Sequence, residues 1–400
     1  MALSSDSAVS LEAALPLLSL RSQAIQESQI REASRYCQKF GALNLAQGLP
    51  DFAAPEALKA AACAAIREDH NQYCDPWGLE ALRVALAEKL QRDNGLTVDP
   101  ETQITVSCGA TEGLNLALMA LLNPGDEVLI FEPFYENYLP NLATVGAVPR
   151  FLELSPPEWA VTSEMLDQVF SDQLKVVILN TPANPTGKVW NRAELELLAQ
   201  YCQKYNVYVV TDEIYESIVY EGEHISLLGL PGMQDRTVLV NGFSKTFCVT
   251  GWRLGYTVAS PKLTAAMRRI HDFLTICAPA PLQHAALAAL ALGTDYYQQL
   301  AADYRRKRDL LFPVLQKIGL NPVLPAGAYY IWTDSSPLAA EANTAAYRLA
   351  QEARVAAVPG YCFVRPQRST VNGLRFCFAK QDSTLTEASE RLLQFAGVSS

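Results

Sequence analysis

From Ile104 onward the chain alternates short β-type runs with helical segments, and several of the runs are apolar throughout. The runs are Ile104–Ser107, Glu127–Phe131, Val148–Leu154, Lys175–Leu179, Val207–Thr211, Thr237–Val240 and Tyr256–Ala259. A strand exposed to water on one face alternates apolar and polar residues. An uninterrupted apolar run means that both faces are covered, which is the habit of parallel strands flanked by helices. Helices fit between the runs at Thr111–Leu122, Arg192–Tyr205 and Pro261–Phe273. The pattern predicts an α/β fold with a mostly parallel, seven-stranded sheet between layers of helix.

The flanks read differently. Ile25–Phe40, Pro55–Asp69 and Leu79–Arg92 have helical spacing, whereas Gly48 and Pro50 in Leu43–Phe52 stop a helix or a central strand. After Pro281 come Gln283–Leu292, a long helix over Tyr296–Ile318, and a tail of strands and helices at Tyr329–Thr333, Thr344–Ala353, Gly373–Ala379 and Thr384–Gln394. The expected division is a flexible segment over 1–24, a small α+β lobe built from 25–55 and 291–400, and a large domain over 56–290.

Composition narrows the function. A net charge of −10 gives no basic face for nucleic acid or an anionic membrane. The nine cysteines form no CxxC pair and suit small buried hydrophobes in a reducing cytoplasm better than a disulfide framework or a metal site. The first twenty residues carry no Lys or Arg, unlike secretory or mitochondrial leaders, and the apolar run Ala285–Leu292 is too short to span a bilayer. The expectation is a cytoplasmic enzyme.

Open α/β sheets bind ligands at the carboxyl ends of their strands, and the unusual residues fall there. Gly109-Ala110-Thr111 follows the first run and opens a helix, a place where small residues let a phosphate reach free N–H groups. Alone it is also an ordinary strand-to-helix turn. Asn184, in a loop stiffened by Pro182 and Pro185, is a pre-set amide donor. Asp212, just past an apolar strand, needs a cation, such as a protonated pyridine nitrogen. Tyr215 can share a ring oxygen with Asn184, and Glu213 reads as structural. Lys245, in the turn after Thr237–Val240, would have its ammonium desolvated and its amine made nucleophilic toward carbonyls; by itself it reads better as a solvated turn lysine. Ser244 and Arg253 complete a phosphate cup. Together these residues suit pyridoxal phosphate held on Lys245 as a Schiff base.

The segments NTPANPTGKV, TDEIY and FSKTFCVTGWRLGY resemble the class I/II, fold-type I PLP-dependent aminotransferases, and the resemblance runs from about Ile25 to the C-terminus. LNLAQGLPDF, NQYCDPWG, FEPFYENY and LRFCFAK are similar, more narrowly, to the kynurenine/glutamine/methionine aminotransferase branch. The resemblance implies a homodimer that moves an α-amino group between an L-amino acid and a 2-oxo acid by a ping-pong cycle. It implies that Lys245 carries the cofactor and shuttles a proton, that Asp212 pairs the pyridine nitrogen, and that Asn184 and Tyr215 bond the ring oxygen. It further implies that Tyr135 stacks on the ring and that Gly109, Ala110, Thr111, Ser244 and Arg253 hold the phosphate, with Tyr73 reaching in from the partner. Arg375, with the Gly48 backbone and Asn184, would clamp the α-carboxylate. From the residues alone, Tyr135 is equally a core aromatic, and the anion that a strand arginine at 375 demands is equally an internal Asp or Glu.

Departures from that branch bear on specificity. Ile276 and Cys277 stand where it has an aromatic and a histidine, Thr111 stands where it has a tyrosine, and no N-terminal tryptophan is evident. These argue for a less aromatic pocket and against kynurenine, while the want of an evident second arginine for a distal carboxylate argues against an aspartate enzyme. A β-eliminating C–S lyase would use the same residues. A PLP-sensing transcription regulator would need a basic DNA-binding head, which the segment before Leu43 does not supply.

Overall fold

The computed structural model describes residues 18–368 and 371–398. The segment expected to be flexible lies mostly outside the described residues; the part that is described holds a short helix, Leu20–Ala24. A two-residue strand β1 (Leu43–Asn44) precedes the main sheet, whose strands are β2 (Ile104–Ser107), β3 (Glu127–Glu132), β4 (Val148–Glu153), β5 (Leu174–Asn180), β6 (Tyr208–Asp212), β7 (Thr237–Gly242) and β8 (Gly255–Val258). Their order is β2-β8-β7-β6-β5-β3-β4, parallel except for β8, which runs against both neighbours.

The two-sided apolar pattern has the cause inferred for it. Val128, Ile130, Val176, Ile178, Val210 and Val240 pack on one face with the helix Gly109–Leu121. Leu129, Phe131, Val177, Leu179 and Val209, the alternate residues of the same strands, pack on the other with the helix Arg192–Lys204. Each such side chain contributes about 1.5–3 kcal/mol by leaving water, so the strand interiors are mainly apolar, with threonines such as Thr105, Thr211 and Thr257 their buried polar residues. The chemistry therefore collects at the ends. Register places Asn180 beside Asp212, and Asp212 beside Val240, two residues before Gly242. The loops that leave these ends carry Asn184, Tyr215 and the Ser244-Lys245 pair.

A smaller three-stranded antiparallel sheet lies beside this body, with β12 (Gly373–Cys377) between β11 (Val358–Pro359) and β9 (Tyr330–Asp334). The helices Thr294–Lys317, Ala342–Arg348 and Asp382–Phe395 cover it. β1 pairs in parallel with β10 (Val355–Ala356), and Leu45 O accepts a hydrogen bond from Cys377 N at 2.8 Å. Those contacts pin the Leu43–Phe52 segment against the small sheet and present Gly48 to the large one.

Candidate active site

Where the two sheets face each other they enclose a cavity of about 890 Å³. Lys245, Asp212, Asn184, Tyr215, Tyr135 and Arg375 all line it, as do Gly48, Ala110, Thr111, Ser244 and Arg253. Two predicted residues do not. Gly109 lies directly beneath the lining, against Arg253, while Tyr73 stands 76% exposed on the outer surface.

Lys245 Nζ donates to Gly48 O at 3.2 Å and lies 5.9 Å from the ring centres of both Tyr215 and Tyr329. Burial, only partly opposed by Cys377 and Asp212, brings its pKa down to about 8, and the cations of Arg375 and Arg253 push the same way. The amine is thus far closer to its neutral, nucleophilic form than a surface lysine. Asp212 is the opposite case. Burial raises its carboxyl pKa, and the hydrogen bond from Tyr138 Oη to Oδ2 at 2.8 Å works against that rise. Its backbone carbonyl accepts from Asn180 Nδ2 at 2.8 Å, fixing the corner where the strand ends.

Arg375 is 1% exposed. Nη1 donates to Asn184 Oδ1 at 2.8 Å and Nη2 to Ala46 O at 2.7 Å, while Nε has no partner. Its guanidinium carbon lies 4.3 Å from the Tyr330 ring centre and 4.7 Å from that of Phe363. No carboxylate pairs with it among the described residues, so the internal Asp or Glu that the sequence left open is not what it meets. A guanidinium buried without an anion is a site for an incoming one.

On the opposite wall, the helix Gly109–Leu121 begins without a side-chain cap, leaving first-turn N–H groups free. Gly109 has φ +76°, and a Cβ there would come within 2.7 Å of Arg253 Nη2, so only glycine lets the arginine lie over the turn. Arg253 is itself left-handed at φ 51° and donates to Thr250 O at 3.0 Å and Thr111 Oγ1 at 3.3 Å. It makes no ion pair among the described residues. Free amides, hydroxyls from Thr111, Ser244 and Thr250, and an unneutralised guanidinium form an anion cradle.

The family profile of aminotransferases of class I and II matches residues 41–392. The chain belongs to that family. This aminotransferase is 36% identical to the methionine aminotransferase of Escherichia coli over 91% of its own length and 94% of the relative's. The crystal structure of that enzyme superposes with a TM-score of 0.90 over 95% of this chain and all of that one. Against the aspartate/prephenate aminotransferase of Thermus thermophilus it is 37% identical, covering 88% and 90% of the two chains. The structure of N-succinyldiaminopimelate aminotransferase from Mycobacterium tuberculosis gives a TM-score of 0.91 at 34% identity, over 95% of this chain and 100% of that one. The cofactor of the family is pyridoxal 5′-phosphate, and the anion cradle, the low-pKa amine and the buried carboxylate are the three features this phosphorylated pyridine aldehyde requires.

The aminotransferase also departs from its sequence reading. Ile276 and Cys277 do not line the cavity of their own chain; Ile276 is 41% exposed. Three further arginines do line it, Arg31, Arg365 and Arg368, where the sequence suggested no second one. Arg365 and Arg368 each lie 3.5 Å from Glu132 and also pair with Glu153, whereas Arg31 has no ion pair among the described residues. Tyr138, Tyr329 and Tyr330 were not foreseen as site residues. For Tyr330 the signal was topological: Tyr330 and Trp332 pair with Cys377 and Arg375 across β9 and β12, which sets Tyr330 on Arg375's face of the sheet. Glu213 is structural as expected, accepting from His224 Nε2 at 2.8 Å and Ser226 Oγ at 2.9 Å.

Proposed function

We propose that the enzyme transaminates L-amino acids with uncharged, mainly apolar side chains. The observation that carries its residue roles is the buried, anion-free Arg375 sharing one cavity with the low-pKa Lys245. Arg375 holds the α-carboxylate of the amino acid through two parallel N–H donors, with Asn184 beside it. That grip would turn the Cα–H toward Lys245, whose amine would take the proton from Cα and pass it to the cofactor carbon that comes to bear the amino group. With a pKa of about 8, a tenth or so of that amine is neutral at pH 7. Asp212, whose burial-raised pKa the hydrogen bond from Tyr138 Oη opposes, would face the cofactor's ring nitrogen and hold a proton there. Asn184 and Tyr215 would serve the ring oxygen and Tyr135 the ring face, while Ala110, Thr111, Ser244 and Arg253 would hold the phosphate on the Gly109 turn. Pyridoxal phosphate supplies the aldehyde that captures the amino group and the electron-poor ring that takes up charge from Cα. Donor and 2-oxo acid acceptor use the same site in turn, a ping-pong cycle.

Ile25, Ile30, Leu49, Leu139 and Val364 line the cavity, and the charges of Arg365 and Arg368 are offset by Glu132 and Glu153; both favour an uncharged side chain. The methionine aminotransferase among the relatives agrees. The test is a panel of L-amino acids on the reconstituted enzyme, following loss of the aldehyde-form absorbance in a single half-reaction. Methionine, leucine or phenylalanine should react at least tenfold faster than aspartate and glutamate. Preference for the dicarboxylates would refute the assignment and implicate Arg31. Ammonia and pyruvate released from S-alkylcysteines without any oxo acid, faster than transamination, would establish a β-lyase instead.

We further propose that the enzyme is a cytoplasmic homodimer in which Tyr73 reaches the partner's phosphate cradle. Tyr73, Phe273 (91% exposed), Leu274 and Ile276 are apolar and exposed around the contact where His271 Nε2 donates to Pro76 O at 2.8 Å, a surface that suits burial against a second copy. Its nine unpaired cysteines suit a reducing compartment. Sedimentation of the holoenzyme should give a dimer and that of Phe273→Asp a monomer; a monomeric parent would refute the pairing.

A further inference from the structure

The proposed mechanism leaves one buried hydroxyl unused. Tyr330 is 2% exposed and stands between the two binding functions, the cofactor's ring oxygen and the substrate's carboxylate. Its hydroxyl lies 2.9 Å from that of Tyr215, and its ring face lies under the Arg375 guanidinium, 4.3 Å from the carbon. The third neighbour is Gly48, where any Cβ would fall 2.0 Å from the Tyr330 hydroxyl oxygen. Glycine at position 48 thus keeps a side chain from pushing the Tyr330 hydroxyl off Tyr215.

We propose that Tyr330 is a positioning residue with two separable tasks. Its hydroxyl donates to the Tyr215 oxygen, so that Tyr215 keeps its own proton for the cofactor's ring oxygen. Its ring holds the Arg375 guanidinium in plane for the α-carboxylate. Both tasks rest on the roles proposed above for Tyr215 and Arg375.

The direction of the hydrogen bond follows from counting protons. Each phenol has one. Were Tyr215 to donate to Tyr330, it would face the ring oxygen with lone pairs only, oxygen against oxygen. Among the described residues Tyr330 Oη has no other hydrogen-bond partner, so donating to Tyr215 costs it nothing. Burial holds both phenols above their ordinary pKa, that of Tyr330 despite the nearby Arg375, so both protons are present at neutral pH. A donor that itself receives a hydrogen bond is polarised and becomes a stronger donor. The ring contact is a cation–π pair screened from water, which restrains a guanidinium whose Nε is otherwise free. The titratable and charged groups facing the pair are Arg375, Lys245, Tyr329, Tyr135, Cys377 and, beyond them, Asp212. A phenylalanine at 330 leaves all of them in place.

The test compares Tyr330→Phe and Tyr330→Leu as holoenzymes by two readouts: the pH midpoint of the bound cofactor's visible band, and KM for the amino donor. Tyr330→Phe should raise the midpoint by about half to one pH unit, because Tyr215, the donor to the ring oxygen, loses its polarisation. Tyr330→Leu should raise it similarly and also lift KM at least fivefold above that of Tyr330→Phe. A midpoint in Tyr330→Phe within about 0.1 unit of the parent's would overturn the hydroxyl's task. Equal KM values in Tyr330→Phe and Tyr330→Leu would overturn that of the ring. Should Tyr330→Leu fail to fold, Tyr330→Met removes the aromatic face with a side chain that adapts to the space, and the same comparison decides. A parent without a visible band or transamination would instead overturn the reading of the site itself, which keeps the two failures apart.

Discussion

Arg375→Met offers the sharpest test of the site, because function and stability should part company. In the proposed complex the guanidinium makes two charge-assisted hydrogen bonds to the α-carboxylate, each contributing about 1.5–3 kcal/mol. Losing both removes about 3–6 kcal/mol, and at about 1.4 kcal/mol per decade kcat/KM falls by about 10²–10⁴. Stability runs differently. Arg375 is 1% exposed and pairs with no carboxylate in the free protein, so its burial is itself costly. Against the relief of that cost, Asn184 Oδ1 and Ala46 O lose their donors, about 1–3 kcal/mol each. These opposing effects are similar in size, so the melting temperature of the cofactor-free protein should move by only a few degrees. The assay is single-turnover amine transfer from methionine, set beside the amine of the same side chain without its carboxylate; that amine should react almost equally with parent and variant. A drop in kcat/KM under tenfold, or equal losses with both donors, would refute the clamp.

Lys245→Ala should abolish turnover even where cofactor still binds, and persisting turnover would overturn its role. Because its folded pKa of about 8 lies below the unfolded 10.5, the unfolded chain binds the extra proton between those values. The cofactor-free parent should therefore gain stability relative to Lys245→Met as pH rises from about 8 to about 10.5, measured by urea unfolding; a flat difference would contradict the shift. Tyr138→Phe removes the donor that works against Asp212's raised pKa and should weaken cofactor affinity by about tenfold in equilibrium dialysis, roughly one hydrogen bond to a charge. Gly109→Ala forces a Cβ to 2.7 Å from Arg253 Nη2 at φ +76°, so affinity for inorganic phosphate and for cofactor should fall together by calorimetry, while loss of one alone would refute the cradle.

How much of this could be read beforehand depended on how local the signal was. All seven strands of the main sheet lie within two residues of their predicted ends; for all but the largely exposed edge strand β4, the reason is that a strand buried on both faces writes its apolarity into consecutive residues. The helix Tyr138–Val145, with Pro140 in its first turn, was not among the expected elements. Invisible too was the pairing of Leu43 with Val355, which no local pattern encodes. The same division holds at the site. Lys245, Asp212 and Asn184 sit in polar turns behind apolar strands and announce themselves. Tyr330 and Tyr138 are aromatic residues in apolar company, the usual look of core, and only their partners reveal otherwise. Arg31 and Arg368 reach the cavity from segments far apart in the chain, a meeting that sequence spacing does not foretell.

The buried His271 has a wider consequence. Its Nδ1 lies 2.9 Å from Glu112 Oε1, a carboxylate whose pKa burial would raise but which its hydrogen-bond partners hold below the ordinary range, and Glu112 also takes the Cys108 N–H at the start of the phosphate turn. Through Nε2 the same imidazole grips Pro76, three residues from Tyr73. One ring therefore spans the cradle and the arm offered to a neighbouring chain. In the proposed homodimer, thermodynamic reciprocity would couple cofactor uptake to subunit pairing: whatever factor the cofactor adds to association, association must return to cofactor affinity. Dilution alone should bleach the enzyme.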